Sequence, residues 1–175
     1  MNHKLQQHFT FLESQRAALV ARVRNVTPEQ LNGHQPGAWS LSQVLAHLIA
    51  SEQLSVRYLK KKIQGIESAP NTGMLETLTM WALIVSQRLP LKFKAPKVVT
   101  ENTPTFSDVH QIIAAWDQCR HELKDLLSAF SEDQLNRQIY KHPIAGKLNI
   151  QQALRFFREH IIHHEPQIKK LLKQQ

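Results

Sequence analysis

Two histidines, His160 and His164, stand four residues apart near the C-terminal end of the chain. Around them Ile150, Leu154, Phe157, Ile161, Ile168 and Leu171 form an apolar series with alternating steps of four and three, and His164 occupies the position in that series where a hydrophobe is expected. His160 lies about 40° away, on the same inward flank as Ala153 and Phe157. Two imidazoles at i and i+4 on one helix can reach a common ion, as the first two ligands of helical zinc sites do. A third ligand must then come from another helix. The candidate is His47, on the face of Val44, Ser51 and Leu54. The middle of that segment is unusually polar, with Ser51, Glu52 and Ser55 interrupting an apolar seam, and this predicts space for a wet pocket.

Three neutral imidazoles leave coordination positions open, which suits a catalytic ion better than a closed structural one. Such an ion lowers the pKa of a bound water towards ~7, polarises a carbonyl or activates a thiolate. Glu52 and Glu165 are candidate supporting or acid–base carboxylates, against the alternative that each is a solvated helix glutamate. His163 is expected to point outward or to support the ligands from behind. His3, His8, His34, His110, His121 and His142 read as surface or structural histidines. For the three candidate ligands themselves, spacing leaves a second reading open, in which each is buried and satisfied by ordinary hydrogen bonds.

The elements that would position these residues are helical. Apolar periodicity predicts helices from about Lys4 to Asn25, from Ser40 to just before Gly65, from Met74 to Leu89, from about Ser107 to Phe130, and from Asn149 to about Lys173. The third of these carries Leu75, Leu78, Trp81, Ala82 and Val85 as its stripe. Capping boxes are predicted at Thr27/Gln30, Ser40/Gln43, Ser131/Gln134 and Asn149/Gln152, with the box at Ser131 opening a short helix. Residues 90–106 read as a connecting loop, and 142–147 as another. Pro166 removes a hydrogen bond to the Ile162 carbonyl and is expected to kink the last helix. The stretch Thr27–Asn32 and the helix after it are echoed by Ser131–Asn136 and the last helix. Duplication with pseudo-two-fold symmetry, or capping grammar common to both, would produce that echo. The expectation is an all-α, four-helix bundle filling one domain over residues 1–175, with short helices in its connections.

Composition narrows the function. No run approaches 18 apolar residues, so no transmembrane helix is expected, and the polar start MNHKLQQHF predicts no signal peptide. Cys119 is the one cysteine, which excludes an internal disulfide and a CxxC site. These features point to a cytoplasmic protein. The net charge is +8, but the lysines fall in short groups at 60–62, 92–97 and 169–173, without interleaved aromatics, so a nucleic-acid partner is not expected.

Two stretches carry a family resemblance. PGAWSLSQVLAHL at 36–48, and HPIAGKLNIQQAL at 142–154 followed by HIIHHEPQI at 160–168, resemble the DinB/YfiT-like family across essentially the whole chain. The resemblance implies a four-helix bundle with up-down-down-up topology, frequently dimeric. It also implies one divalent ion, commonly zinc or nickel, held by three histidines that fall here on His47, His160 and His164. Trp39 would pack structurally near the start of the second helix, and Pro166 departs from the family pattern. The resemblance implies a metal-dependent hydrolase or a low-molecular-weight-thiol S-transferase acting on a small molecule. The alternative is a metal-binding or dimerisation module without turnover.

Overall fold

Reciprocal capping fixes where the helices begin. The computed structural model describes residues 1–89 and 95–173. Thr27 and Gln30 exchange side-chain-to-backbone hydrogen bonds at the head of the short helix α2 (Pro28–Asn32), as do Ser40 and Gln43 at α3 (Leu41–Lys62). Asn149 and Gln152 do the same at α7 (Ile150–Lys173). Each pair satisfies two backbone donors that a helix start leaves open, which stabilises it by about 1 kcal/mol per capping side chain. Helix α1 (His3–Val23) is capped by Asn2, and α6 (Val109–Ser128) by Asp108, whose carboxylate accepts from His110 and Gln111. A 3-10 turn at Ile63–Ser68, helix α4 (Met74–Arg88) and helix α5 (Lys97–Glu101) lie between α3 and α6.

The direction of each long helix follows from which half enters which part of the core. One apolar cluster takes the N-terminal half of α1, the C-terminal halves of α3 and α6, and the N-terminal half of α7. The other takes the opposite halves: Leu19 and Val23, Leu41 to Ile49, Val109 to Trp116, and Ile161 with Ile168. So α1 and α7 run one way, and α3 and α6 the other. The bundle is up-down-down-up. Helix α3 packs on α6 and on α7, and α1 packs on α6 and on α7, so α1 and α3 stand diagonally opposed. Because α3 and α6 are parallel neighbours, their connection must travel the bundle's length, and α4 does so lying against α7.

Between the two apolar clusters lies a polar waist. Glu52 of α3 is buried there, accepting from Arg120 Nη2 (2.8 Å) and Trp116 Nε1 (3.1 Å) of α6, and Glu13 of α1 lies 3.6 Å from Arg120 Nε. Ser55 donates to the Ser51 carbonyl (2.7 Å) and pairs with the Tyr140 hydroxyl (2.8 Å). The polar mid-section of α3 is therefore largely consumed by partners on α6 and on the segment before α7, and it does not line an open pocket as expected.

Four further expectations change. Ser131 and Gln134 form only half a capping box, and the chain makes a turn there, not a short helix, because Ser131 spends its hydroxyl on Asp133. Residues around 142–147 are not a plain loop: Tyr140–His142 (β1) pairs antiparallel with Gly146–Leu148 (β2), and Gly146 supplies the positive φ of 76° that the tight reversal needs. His142 stiffens the tip, its Nδ1 accepting from the amides of Ile144 and Ala145 at 3.1 Å each. Within the stretch read as a loop, Lys97–Glu101 forms α5, and residues 90–94 of that stretch lie outside the described residues. Finally, the stripe of α4 is inverted: Met80, Leu83, Ile84 and Gln87 are buried, while Leu75, Leu78, Trp81, Ala82 and Val85 face outward. This helix is apolar on both faces, so periodicity could not choose between them. Helix α7 continues through Pro166 to Lys173.

Candidate metal centre

His47 stands on the second turn of α3, and His160 and His164 on successive turns of α7, where these two helices pack together. Their rings form a closed triangle, with centroids 5.0 Å apart for His47 and His160, 5.1 Å for His47 and His164, and 5.0 Å for His160 and His164. All three pairs meet edge to face. His47 Nε2 and His160 Nε2 are 3.2 Å apart, and one nitrogen from each of the three rings lies within 4.8 Å of the other two. Two ligand nitrogens on a tetrahedral zinc, each about 2.05 Å from the ion, stand roughly 3.3 Å apart.

The surroundings keep these rings neutral. Burial lowers the pKa of His47 to about 4, with smaller contributions from His164 and His163. Burial likewise lowers His164 to about 4 against an opposing hydrogen bond from Gln167, and holds His160 well below 6.5. A neutral imidazole offers one lone pair, and its second nitrogen decides which. His164 Nδ1 donates to Gln167 Oε1 (3.1 Å), so its lone pair is on Nε2. His47 Nδ1 is buried without a hydrogen-bond partner among the described residues. His163 donates through Nδ1 to the Gln87 carbonyl of α4 (2.7 Å) and packs its ring 5.0 Å from that of His164. Its ring thus lies beside the cluster, the second of the two placements expected for it.

The expected carboxylates go elsewhere. Glu52 belongs to the polar waist, where burial pushes its carboxyl up while Arg120 and Trp116 oppose that shift. Glu165 pairs with Arg22 of α1 and with Lys169 (3.3 Å).

The signature of the DinB superfamily matches residues 12–168, nine-tenths of the chain. The chain belongs to that superfamily. Among its relatives is YuaE of Bacillus subtilis (strain 168), an uncharacterised protein 26% identical over 151 residues, covering 85% of this chain and 87% of YuaE. The fold of this DinB-superfamily chain is also that of YfiT from Bacillus subtilis, with a TM-score of 0.64, 20% identity, and coverage of 99% of this chain and 89% of the other. YfiT is described as a probable metal-dependent hydrolase with an unusual four-helix bundle topology.

Two aromatic residues of this DinB chain complete the setting. Trp39, expected to be structural, leans its ring 5.2 Å from His47 at the rim and remains 36% exposed. Phe156 stacks on His160 at 5.4 Å with planes only 17° apart, and His142 meets the Phe156 ring edge to face at 4.4 Å. Phe156 lies four residues before His160, so helical spacing carried a signal for it.

Proposed function

We propose that this chain is a metal-dependent enzyme, and that His47, His160 and His164 hold one divalent ion, zinc or nickel. The observation carrying this reading is the meeting of three neutral imidazoles, one from α3 and two from α7, with nitrogens within 4.8 Å. The donor set fits the ion. The 3.2 Å separation of His47 and His160 equals a ligand–ligand edge, and the excess at the widest pair is about 1.5 Å, within reach of a small ring rotation.

When bound, the ion supplies Lewis acidity for activating water or a thiol. The chain's own residues do the rest. Gln167 fixes the tautomer of His164, and the Gln87 carbonyl fixes His163 beside it. Trp39 and Phe156 give the cluster apolar walls, which strengthens electrostatic interactions inside it. We read the reaction as hydrolysis of a small ester or amide, supported by the description of YfiT, with thiol S-transfer as the competing chemistry.

Elemental analysis of purified wild-type protein beside His47→Ala, His160→Ala and His164→Ala tests the centre. The wild type should carry about one ion per chain and each variant much less. Equal metal content in all four proteins would remove the assignment. Turnover of ester and amide substrates with metal and water alone supports hydrolysis. Turnover that appears only after adding a low-molecular-weight thiol assigns the transferase reading.

A further inference from the structure

His142 is only 5% exposed beside the proposed centre, yet half of its ring is unaccounted for. Its Nδ1 accepts from the amides of Ile144 and Ala145, so a lone pair occupies that nitrogen and the ring proton sits on Nε2. A second proton on Nδ1 would point at two donors. Burial alone lowers the pKa of this ring to about 4 and keeps it neutral. The Nε2–H then meets no acceptor among the described residues. Buried donors in folded proteins are nearly always paired, because an unpaired one is costly.

The ring lies one step down the groove between α3 and α7 from the imidazole cluster. His142 meets Phe156 edge to face at 4.4 Å, and Phe156 stacks on His160 at 5.4 Å. On the α3 side the Tyr140 ring stands 6.5 Å from His142, and its hydroxyl is bonded to Ser55, two turns beyond His47. Tyr140 has no proton to offer a ligand, since Ser55 gives its own to the Ser51 carbonyl and takes that of Tyr140. Space beside the His142 ring is open: its cross-strand neighbour is Gly146, where a side chain would meet nothing within 4 Å. The cations of the hairpin lie elsewhere, Lys141 and Lys147 pairing across its exposed face.

We propose that His142 Nε2–H binds a second carbonyl oxygen of the substrate, beyond the bond broken at the ion, and so selects small esters or amides that carry a further uncharged acceptor. This deepens the metal-enzyme reading and rests on it. A carbonyl fits better than a carboxylate, because a neutral imidazole supplies one hydrogen bond and no charge, and the lysines of the hairpin face away. Phe156 sets the spacing. It stands between His142 and His160, so the acceptor belongs to the group next along the substrate from the reacting one.

Isothermal titration of the zinc-loaded full chain with two hydroxamates tests this selection. Acetohydroxamate offers the ion a chelating group alone, and N-acetylglycine hydroxamate adds a carbonyl one residue further along. The wild type should bind the second about five- to tenfold more tightly, the worth of one hydrogen bond to a buried donor. His142→Asn keeps an acceptor for the Ile144 and Ala145 amides but removes the Nε2–H, so it should erase that preference without changing the affinity for acetohydroxamate. A purely structural His142 would shift both affinities together. Long-range proton–nitrogen NMR spectra give a second reading on the wild type itself: the His142 Nε2 resonance should move with N-acetylglycine hydroxamate and stay in place with acetohydroxamate. Equal affinities in the wild type, a preference that survives His142→Asn, or an unmoved Nε2 resonance overturns the inference and leaves the metal centre standing. If neither hydroxamate binds, the metal centre itself fails and this inference falls with it.

Discussion

Replacing Gln167 by leucine isolates the part of the proposed centre that orients a ligand without touching the ion. In the structure Gln167 Oε1 accepts from His164 Nδ1 at 3.1 Å, which holds the His164 proton on Nδ1 and leaves the Nε2 lone pair for a metal. Leucine keeps the helix propensity and most of the volume but removes the acceptor. Loss of such a support lowers metal affinity by about 10–100-fold, or roughly 1.4–2.7 kcal/mol. Gln167 is only partly buried, so water can replace it in part, and this favours the lower end, about tenfold. Metal-free stability should change by less than ~1 kcal/mol, the worth of one half-exposed neutral hydrogen bond. Competition against a chromophoric zinc chelator measures the affinity, and urea denaturation of the metal-free protein measures the stability. An affinity within about twofold of wild type, in a protein that does bind one ion, would show that packing against His163 alone orients His164. Tighter binding would show that Gln167 competes for the ligating nitrogen. The first result refutes the orienting role of Gln167, and the second refutes the assignment of Nε2.

Other perturbations test the frame around the centre. The folded-state pKa of His142, about 4, lies below its ordinary 6.5, so its contribution to stability is whole above pH 6.5 and is lost as pH falls towards 4. Between pH 7 and 5 this one residue should cost about 2 kcal/mol in metal-free protein, read from urea midpoints, and His47 and His164 add losses of the same sign. A flat profile over that interval would contradict the burial of these rings as neutral groups. Arg120→Met should destabilise by about 3–5 kcal/mol, because it strands the Glu52 carboxylate in the waist, whereas adding Glu52→Leu should restore most of the loss. Denaturation of the two variants side by side distinguishes a paired charge from one that tolerates isolation. Pro166→Ala should raise the melting free energy by about 1–3 kcal/mol, since α7 passes through this position and alanine restores the missing amide. A loss of stability there would mean that the proline shapes the helix end productively.

Local chemistry made most of the framework legible in the sequence. The capping pairs at Thr27, Ser40 and Asn149 form because their partners are three residues away, and the spacing of His160 and His164 puts both on one face of α7 whatever surrounds it. The heptad-like stripe on α7 located its buried face because that helix has a polar side to contrast with. What required the tertiary structure depends on partners far along the chain. Helix α4 is apolar all round, and only its packing on α7 decides which side is buried. The polar residues of α3 looked like the lining of a pocket, but Arg120 and Trp116, more than sixty residues later, occupy Glu52, and Tyr140 occupies Ser55. The approach of His47 to His160 spans 113 residues, and it exists because α3 and α7 are neighbours in an up-down-down-up bundle. Spacing along one helix is set by covalent geometry and can be read from the chain, while contact between helices is set by the packing of the whole core and cannot.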